Sequence, residues 1–302
     1  MKKMLSLALA FVLVLSLAAC GGSAGGDVKE PSSVSTGDTE PQTNGDDNAA
    51  EPSAPADATI EETVLVDESG VKITAKSLGT ESLFGAELKL LIENNSGKDL
   101  TIQCRNASVN GYMVETMMSA DVVNGKKAND SITFMSSDLE ACGITSIADM
   151  EFSFHIFTTA DWEAYLDTAL IQLKTSIADT YTYTFDDSGE VAYDANGVKI
   201  VIKGLSDSSI FGPGVMVYIE NNREKGVTVQ TRDVSINGFM ASAMFSSDVM
   251  PGKKAVDTIT FLSSELEENE ITSIQDVELS FHIFDTDSMD GIVDTDVVHM
   301  TF

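Results

Sequence analysis

The residues with most chemistry to offer come in pairs. His155 and His282 occupy equivalent places in two like segments, Ser153-Phe154-His155-Ile156-Phe157 and Ser280-Phe281-His282-Ile283-Phe284. An imidazole can act near neutral pH as general base, proton shuttle or metal ligand. Each role needs partners, and apart from these two the chain has only His299. The pattern reads as a strand-face histidine packed beside Phe157 or Phe284. Asp285-Thr286-Asp287-Ser288-Met289-Asp290-Gly291 spaces its carboxylates almost as a calcium loop does. It is one residue longer than Asp-x-Asp-x-Asp-Gly, and the first segment has Thr158, Ala160 and Glu163 at three of the corresponding places. Gly125-Lys126-Lys127 and Gly252-Lys253-Lys254 are basic spots in an acidic chain. They suit either contact with an anionic polymer or a solvated turn, and they lack the frame of a phosphate loop. Arg105 with Gln103, and Arg232 with Gln230, are expected on the outward face of a strand. Trp162 is expected in a loop. Binding, cross-strand pairing and ordinary loop packing all remain open for these residues. Cys104 and Cys142 are permitted a disulfide outside the cell, yet Thr231 and Asn269 stand at their equivalents. No Gly-x-Ser-x-Gly, no His-Glu-x-x-His and no serine or cysteine set with histidine occurs. The expectation is a protein without catalytic residues, metal or cofactor.

One cysteine is different. The chain opens Met1-Lys2-Lys3, runs without charge from Met4 to Ala19, and reaches Leu17-Ala18-Ala19-Cys20. A cationic start, a short apolar core and small residues before a cut are the layout of a secretory signal. The apolar run is shorter than the roughly 20 residues of a membrane-spanning helix. Leu-Ala-Ala-Cys resembles the lipobox of bacterial lipoproteins. That resemblance implies cleavage before Cys20, attachment of a diacylglycerol to its sulfur, and a chain held by acyl groups such as palmitate on the extracytoplasmic side of the cell membrane. Two acyl chains suffice for stable anchoring.

The charge limits the partners. The chain has 18 Lys and Arg against 48 Asp and Glu, a formal net charge of −30. No segment after the signal is basic, so nucleic acid is repelled rather than steered. Residues 21–60 are mostly Gly, Ser, Asp, Pro, Thr, Asn and Ala. Such a stretch buries too little apolar surface to offset chain entropy and reads as a disordered, self-repelling stalk.

Beyond the stalk the sequence repeats itself. A shift of 127 residues carries Val71-Lys72-Ile73 onto Val198-Lys199-Ile200, Ile92-Glu93-Asn94-Asn95 onto Ile219-Glu220-Asn221-Asn222, and Ile144-Thr145-Ser146-Ile147 onto Ile271-Thr272-Ser273-Ile274. Roughly 45% of aligned positions are identical, over a period far longer than a solenoid unit. Period-two alternation recurs, as in Leu88, Leu90 and Ile92 or Met150, Phe152, Phe154 and Ile156, and predicts half-buried strands. Further strands are predicted near 63–67, 71–78, 99–109, 112–118, 130–135 and 169–174. Asn110-Gly111 and Asn237-Gly238 predict tight hairpin turns. A short helix is predicted at Ser137–Glu140, capped by serine and ended by Gly143, with its match at Ser264–Glu267. Tyr181-Thr182-Tyr183-Thr184-Phe185 alternates like a strand between the copies.

The fold class expected is all-β, two tandem immunoglobulin-like β-sandwich domains after a signal peptide and disordered linker. The boundaries are 1–19 for the signal, 20–62 for the lipidated cysteine and linker, 63–176 for the first sandwich and 177–302 for the second. The Asn-Asn and Val-Asn-Gly segments resemble immunoglobulin-like domains of poorly characterised bacterial surface lipoproteins. The resemblance implies an extracellular, non-enzymatic domain. The expected function is a membrane-anchored surface lipoprotein with a binding or structural role toward a protein or polysaccharide. The alternatives are an accessory lipoprotein in envelope assembly or solute transport, and a calcium-dependent adhesion module.

Overall fold

The computed structural model describes residues 58–79, 82–209 and 211–302. The signal, Cys20 and the stalk up to residue 57 lie outside the described residues. What is described is all-β, with two one-and-a-half-turn helices. The first repeat holds β1 (Thr63–Glu68), β2 (Val71–Gly79), β3 (Gly85–Asn94), β4 (Leu100–Val109), β5 (Tyr112–Met113), β6 (Thr116–Met117), β7 (Ser119–Val122), β8 (Lys126–Met135), α1 (Ser136–Ala141), β9 (Asp149–Thr158), β10 (Ala164–Asp167) and β11 (Ile171–Lys174). The second holds β12 (Glu190–Ala195), β13 (Val198–Ser209), β14 (Gly212–Asn221), β15 (Val227–Ile236), β16 (Phe239–Met240), β17 (Ala243–Met244), β18 (Ser246–Val249), β19 (Lys254–Phe261), α2 (Ser263–Glu268), β20 (Asp276–Asp285), β21 (Gly291–Asp294) and β22 (Val298–Thr301). Element follows element at the sequence offset.

In each repeat two sheets face one another. A sheet ordered β1-β2-β3-β8-β6 opposes β10-β9-β4-β5, with β7 on β4 and β11 on β9. Alternation decides which residues meet between them. Leu88, Leu90 and Ile92 of β3 are buried against Met150, Phe152, Phe154 and Ile156 of β9, while Glu87, Lys89 and Glu93 point away. The second core repeats this with Val215, Val217 and Ile219 against Val277, Leu279, Phe281 and Ile283.

Both Asn-Gly pairs turn as predicted, with positive φ at Asn110, Gly111, Asn237 and Gly238. The Asn-Asn segments have a structural use. Asn94 is fully buried, and its amide donates to Lys98 O at 2.8 Å and Val122 O at 2.6 Å. Asn221 repeats both bonds, to Lys225 O and Val249 O. One amide thus ties a loop and the short strand β7 or β18 to the main sheet, satisfying carbonyls that strand pairing leaves over.

Four expectations need correction. The helix spans Ser136–Ala141, and Met135 occupies its N-cap with no side-chain bond, because the chain enters it straight from β8 in extended form. Gly143 does follow it at φ 65. The region 112–118 is two separate two-residue strands, one on each sheet, because the chain crosses between sheets there. Tyr181–Phe185 joins no ladder. Its alternation survives only as burial, with Tyr181, Tyr183 and Phe185 half-buried and Thr182 and Thr184 exposed. The last residues assigned to the linker are docked: Ala58 is buried, Ile60 packs on the first core, and the Ser176 N–H donates to Thr59 O at 2.8 Å.

Candidate binding surface

The histidines are placed by strand pairing. Asp167 of β10 lies opposite His155 of β9, and Asp294 of β21 opposite His282 of β20. The His282 Nδ1 stands 2.6 Å from Asp294 Oδ1, and His155 makes the same contact with Asp167. A carboxylate can only accept, so Nδ1 donates. The ring backs onto Phe157 at 5.3 Å or Phe284 at 5.1 Å. Each pair is a cross-strand clasp on a sheet's outer face. Arg232 joins the second clasp, 3.2 Å from Asp294. Arg105 makes no matching ion pair among those described and borders a groove between the repeats. Trp162 is exposed and stacks on Phe157 at 5.3 Å.

The acidic loop after β20 closes on itself. Asp285 is buried, and its Oδ1 accepts from the Ser288 N–H at 3.0 Å and the Asp287 N–H at 3.2 Å. Its Oδ2 lies 3.2 Å from Lys225 Nζ. The Ser288 N–H and the Lys225 ammonium hold this carboxyl at about 2. In the first repeat Thr158 does the equivalent work with Asp161 and the Glu163 N–H. Among the described residues no group of three or more His, Cys, Asp or Glu is set to hold a metal ion.

The lysine turns differ between repeats. Lys127 pairs with Glu93 at 2.5 Å on the surface. Lys253 reaches into the first repeat and pairs with Glu151 at 2.8 Å, both side chains being largely buried. Lys254 lies over the rings of Tyr112 and Tyr218, at 5.7 and 5.9 Å. The second pair therefore clamps the repeats together instead of forming a solvated turn.

Around that clamp the repeats share one core. Val201, Tyr218 and Val256 of the second repeat belong to the first repeat's apolar cluster. Tyr218 is fully buried, on the face of β14 opposite Val217 and Ile219. Phe185 stacks on it at 5.6 Å, and Tyr112 meets Tyr183 edge-on at 5.5 Å. The Lys254 N–H donates to Gly111 O at 3.1 Å, and Lys254 pairs in parallel with Tyr112. One sheet of eleven strands thereby runs through both repeats. The equivalents of Val201, Tyr218 and Val256 are Thr74, Leu91 and Asn129. At two of these three outward positions a polar residue of the first repeat is replaced by valine where the other repeat covers the face.

Beside the junction lies a groove of about 400 Å³ lined by Cys104, Arg105, Glu115, Asp138, Asp248 and Asp257 among others. Burial pushes the Asp257 and Glu115 carboxyls above their ordinary values, and Asp138 adds repulsion to both. Cys104 and Cys142 are free thiols. Burial raises them to about 11 and about 12, so neither is a ready nucleophile.

A second groove, of about 270 Å³, is apolar and belongs to the second repeat alone. Leu205, Pro213, Leu266, Ile271 and Ile274 line it. Sequence reasoning missed both this groove and the junction. The signal available was the divergence of the copies at Tyr218, Val201 and Val256, where an apolar residue replaces a polar or smaller one on an outward position.

Among the described residues no helix is long and apolar enough to cross a membrane. No known family's sequence model matches the chain. No curated protein matches it either. Among solved structures the chain is similar to a crystal structure of the YadV chaperone, at 12% identity over 71% of this chain and 92% of that one. The TM-score is 0.24, at which the likeness carries no argument.

Proposed function

We propose that this chain is a membrane-anchored surface lipoprotein with a non-catalytic binding role, tethered through Cys20 and carrying two immunoglobulin-like domains on an acidic stalk. The observation that carries the reading is the Leu17-Ala18-Ala19-Cys20 segment at the end of a short apolar run. The junction supports it from the other side. A buried ion pair, four stacked or edge-on rings and a shared sheet make the repeats one body suited to holding a surface away from the membrane. The two histidines also favour a non-catalytic reading, since each is engaged by its strand-partner aspartate and an aromatic ring, as a fold-stabilising clasp is. Ligands of such a protein are a protein or a polysaccharide, met at faces the two repeats do not cover on one another.

Membrane fractionation of cells carrying the chain and its Cys20→Ala variant tests the anchor. The parent sediments with membranes and is released by detergent; the variant is found in the soluble fraction. A variant that still sediments and still carries labelled lipid removes the basis for the proposal.

A further inference from the structure

The outer face that carries the histidine clasps is kept between the repeats beyond what the clasps require. Gln103, Arg105 and Ser119 of the first face recur as Gln230, Arg232 and Ser246 of the second, although the copies differ at more than half of their aligned positions. Outward strand positions are where substitution costs the fold least, so duplicated copies drift there first. The other sheet shows that drift, with Glu87 and Lys89 becoming Gly214 and Met216. The clasps account for the histidines and their aspartates. Gln103 and Arg105 take no part in the first clasp, so it does not explain them.

The loop at one end of each face sets a large apolar side chain on a backbone that disfavours it. Trp162 has φ 61, and Met289, its equivalent, has φ 60. Glycine or asparagine is at ease there and a bulky residue is not. Both side chains are nonetheless turned into water, 74% and 68% exposed. Strain held at an exposed residue points to a use for that residue. The Trp162 ring lies on Phe157, with centroids 5.3 Å apart and planes 15° apart, and its second face is left to solvent. Phe157 is buried yet belongs to neither core cluster, so it serves as a backing for the indole.

A flat indole followed along a sheet face by amide, guanidinium and hydroxyl groups matches a sugar chain. The C–H face of an equatorially substituted pyranose lies on an aromatic ring, while its hydroxyls both donate and accept. The face answers in kind: Arg105 donates, Asp121 accepts and Gln103 does both. A protein ligand fits less well, because such contacts rest on several apolar anchors in pockets, and this face has one exposed ring. Charge narrows the choice. A chain of net charge −30 repels an anionic polymer, and the face itself balances basic against acidic side chains. The face also continues. Arg105 stands at the end of the strand pairing remote from Phe157, and with Asn106 it lines the junction groove. Ser246 and Asp248 of the second face line the same groove. The two like faces therefore adjoin, which suits a linear ligand.

We propose that the outer faces of β4 with β9 and of β15 with β20 bind a neutral, equatorially substituted polysaccharide. Trp162 is its stacking platform, and Gln103 and Arg105 bond its hydroxyls. The proposal deepens the reading of the chain as a binding lipoprotein and rests on it.

The chain has a single tryptophan, so its emission reports this face directly. The test uses the full chain in a detergent without a sugar headgroup. Hydroxyethylcellulose and glycol chitin are the neutral polymers, carboxymethylcellulose is the anionic one, and a casein hydrolysate is the protein control. At least one neutral polymer shifts the emission and retards the chain in native gels that contain it. Carboxymethylcellulose binds at least about tenfold more weakly at low salt. Trp162→Gly and the double variant Gln103→Ala with Arg105→Ala each weaken retardation about tenfold, whereas Lys89→Ala on the other sheet leaves it unchanged. The double variant changes only outward side chains and keeps the parent's melting temperature, which separates lost binding from lost folding. A shift from none of the sugar polymers, equal affinity for the anionic one, or retardation unchanged in either variant overturns the proposal. So does a shift from the hydrolysate alone, which assigns the face to a protein. Lipid labelling of Cys20 is read separately, so a failed anchor and a failed face are distinguishable.

Discussion

Replacing Tyr218 by alanine tests whether the junction holds the two repeats as one body. The Tyr218 ring is fully buried, stacked on Phe185 and under Lys254. Truncating a buried aromatic to alanine costs about 3–5 kcal/mol, through lost transfer free energy and the cavity left behind. The stacked ring is part of that loss. A cost of about 4 kcal/mol lowers the melting temperature by roughly 8–15 °C in a unit of this size. Two controls bracket the effect. Tyr218→Phe loses only the bond from the hydroxyl to Glu220 at 3.1 Å, worth about 1 kcal/mol. Leu91→Ala changes the equivalent, half-buried position on the uncovered face of the first repeat and costs about 1 kcal/mol. Scanning calorimetry reads all three. The expected result is one transition in the parent and two in Tyr218→Ala, the earlier from the second repeat, whose outer face is newly bare. If Tyr218→Ala and Leu91→Ala lower the melting temperature equally, the junction is not the clamp described above.

The other predictions follow from single contacts. Lys253→Ala leaves Glu151 charged and largely buried without its partner, and costs about 3 kcal/mol by denaturant titration, whereas Lys126→Ala at the equivalent exposed position costs almost nothing. Asn94→Ala strips the donor from two carbonyls in the first repeat and costs about 2–3 kcal/mol on the same measurement. Asp257 and Asp285 predict opposite pH trends. Burial raises Asp257, so the folded state binds its proton more tightly than the unfolded state, and its contribution falls as pH rises through the folded value. Asp257→Asn should therefore raise the melting temperature at pH 7 and change little at pH 3. Asp285 is lowered to about 2, so its contribution is present above the ordinary carboxylate value and is lost as pH falls toward 2. Asp285→Asn should lower the melting temperature at pH 7, and less so near pH 2. Cys104 and Cys142 should resist an aromatic disulfide reagent at pH 8 until denaturant is added, because both thiols are raised and Cys142 is buried.

Period-two alternation and internal repetition made the strands legible, because each reports a face and a fold-level duplication without tertiary knowledge. Leu88, Leu90 and Ile92 point where the pattern puts them, and the Asn-Gly turns form because asparagine and glycine accept positive φ. The short strands Ser119–Val122 and Ala164–Asp167 were not legible. They hold four residues each, and edge pairing positions them rather than an apolar pattern. Tyr181–Phe185 shows the opposite failure. Its alternation is real, but Tyr183 and Phe185 spend their rings on the junction, and the backbone there joins no ladder. The candidate sites divide the same way. The histidines were placed on the correct face, while their aspartates, twelve residues on, could be found only through the register of β10 and β21. The lysine pairs look alike in sequence, and only the neighbouring repeat makes Lys253 and Lys254 different from Lys126 and Lys127.

The anchor is the claim on which the rest of the functional account hangs, and intact mass spectrometry of the mature protein tests it most directly. The account predicts a chain that begins at Cys20, heavier than its sequence by a thioether-linked diacylglycerol, and lighter by two acyl chains after base hydrolysis. A chain that keeps Met1, or one cut elsewhere with Cys20 as a free thiol, would contradict it.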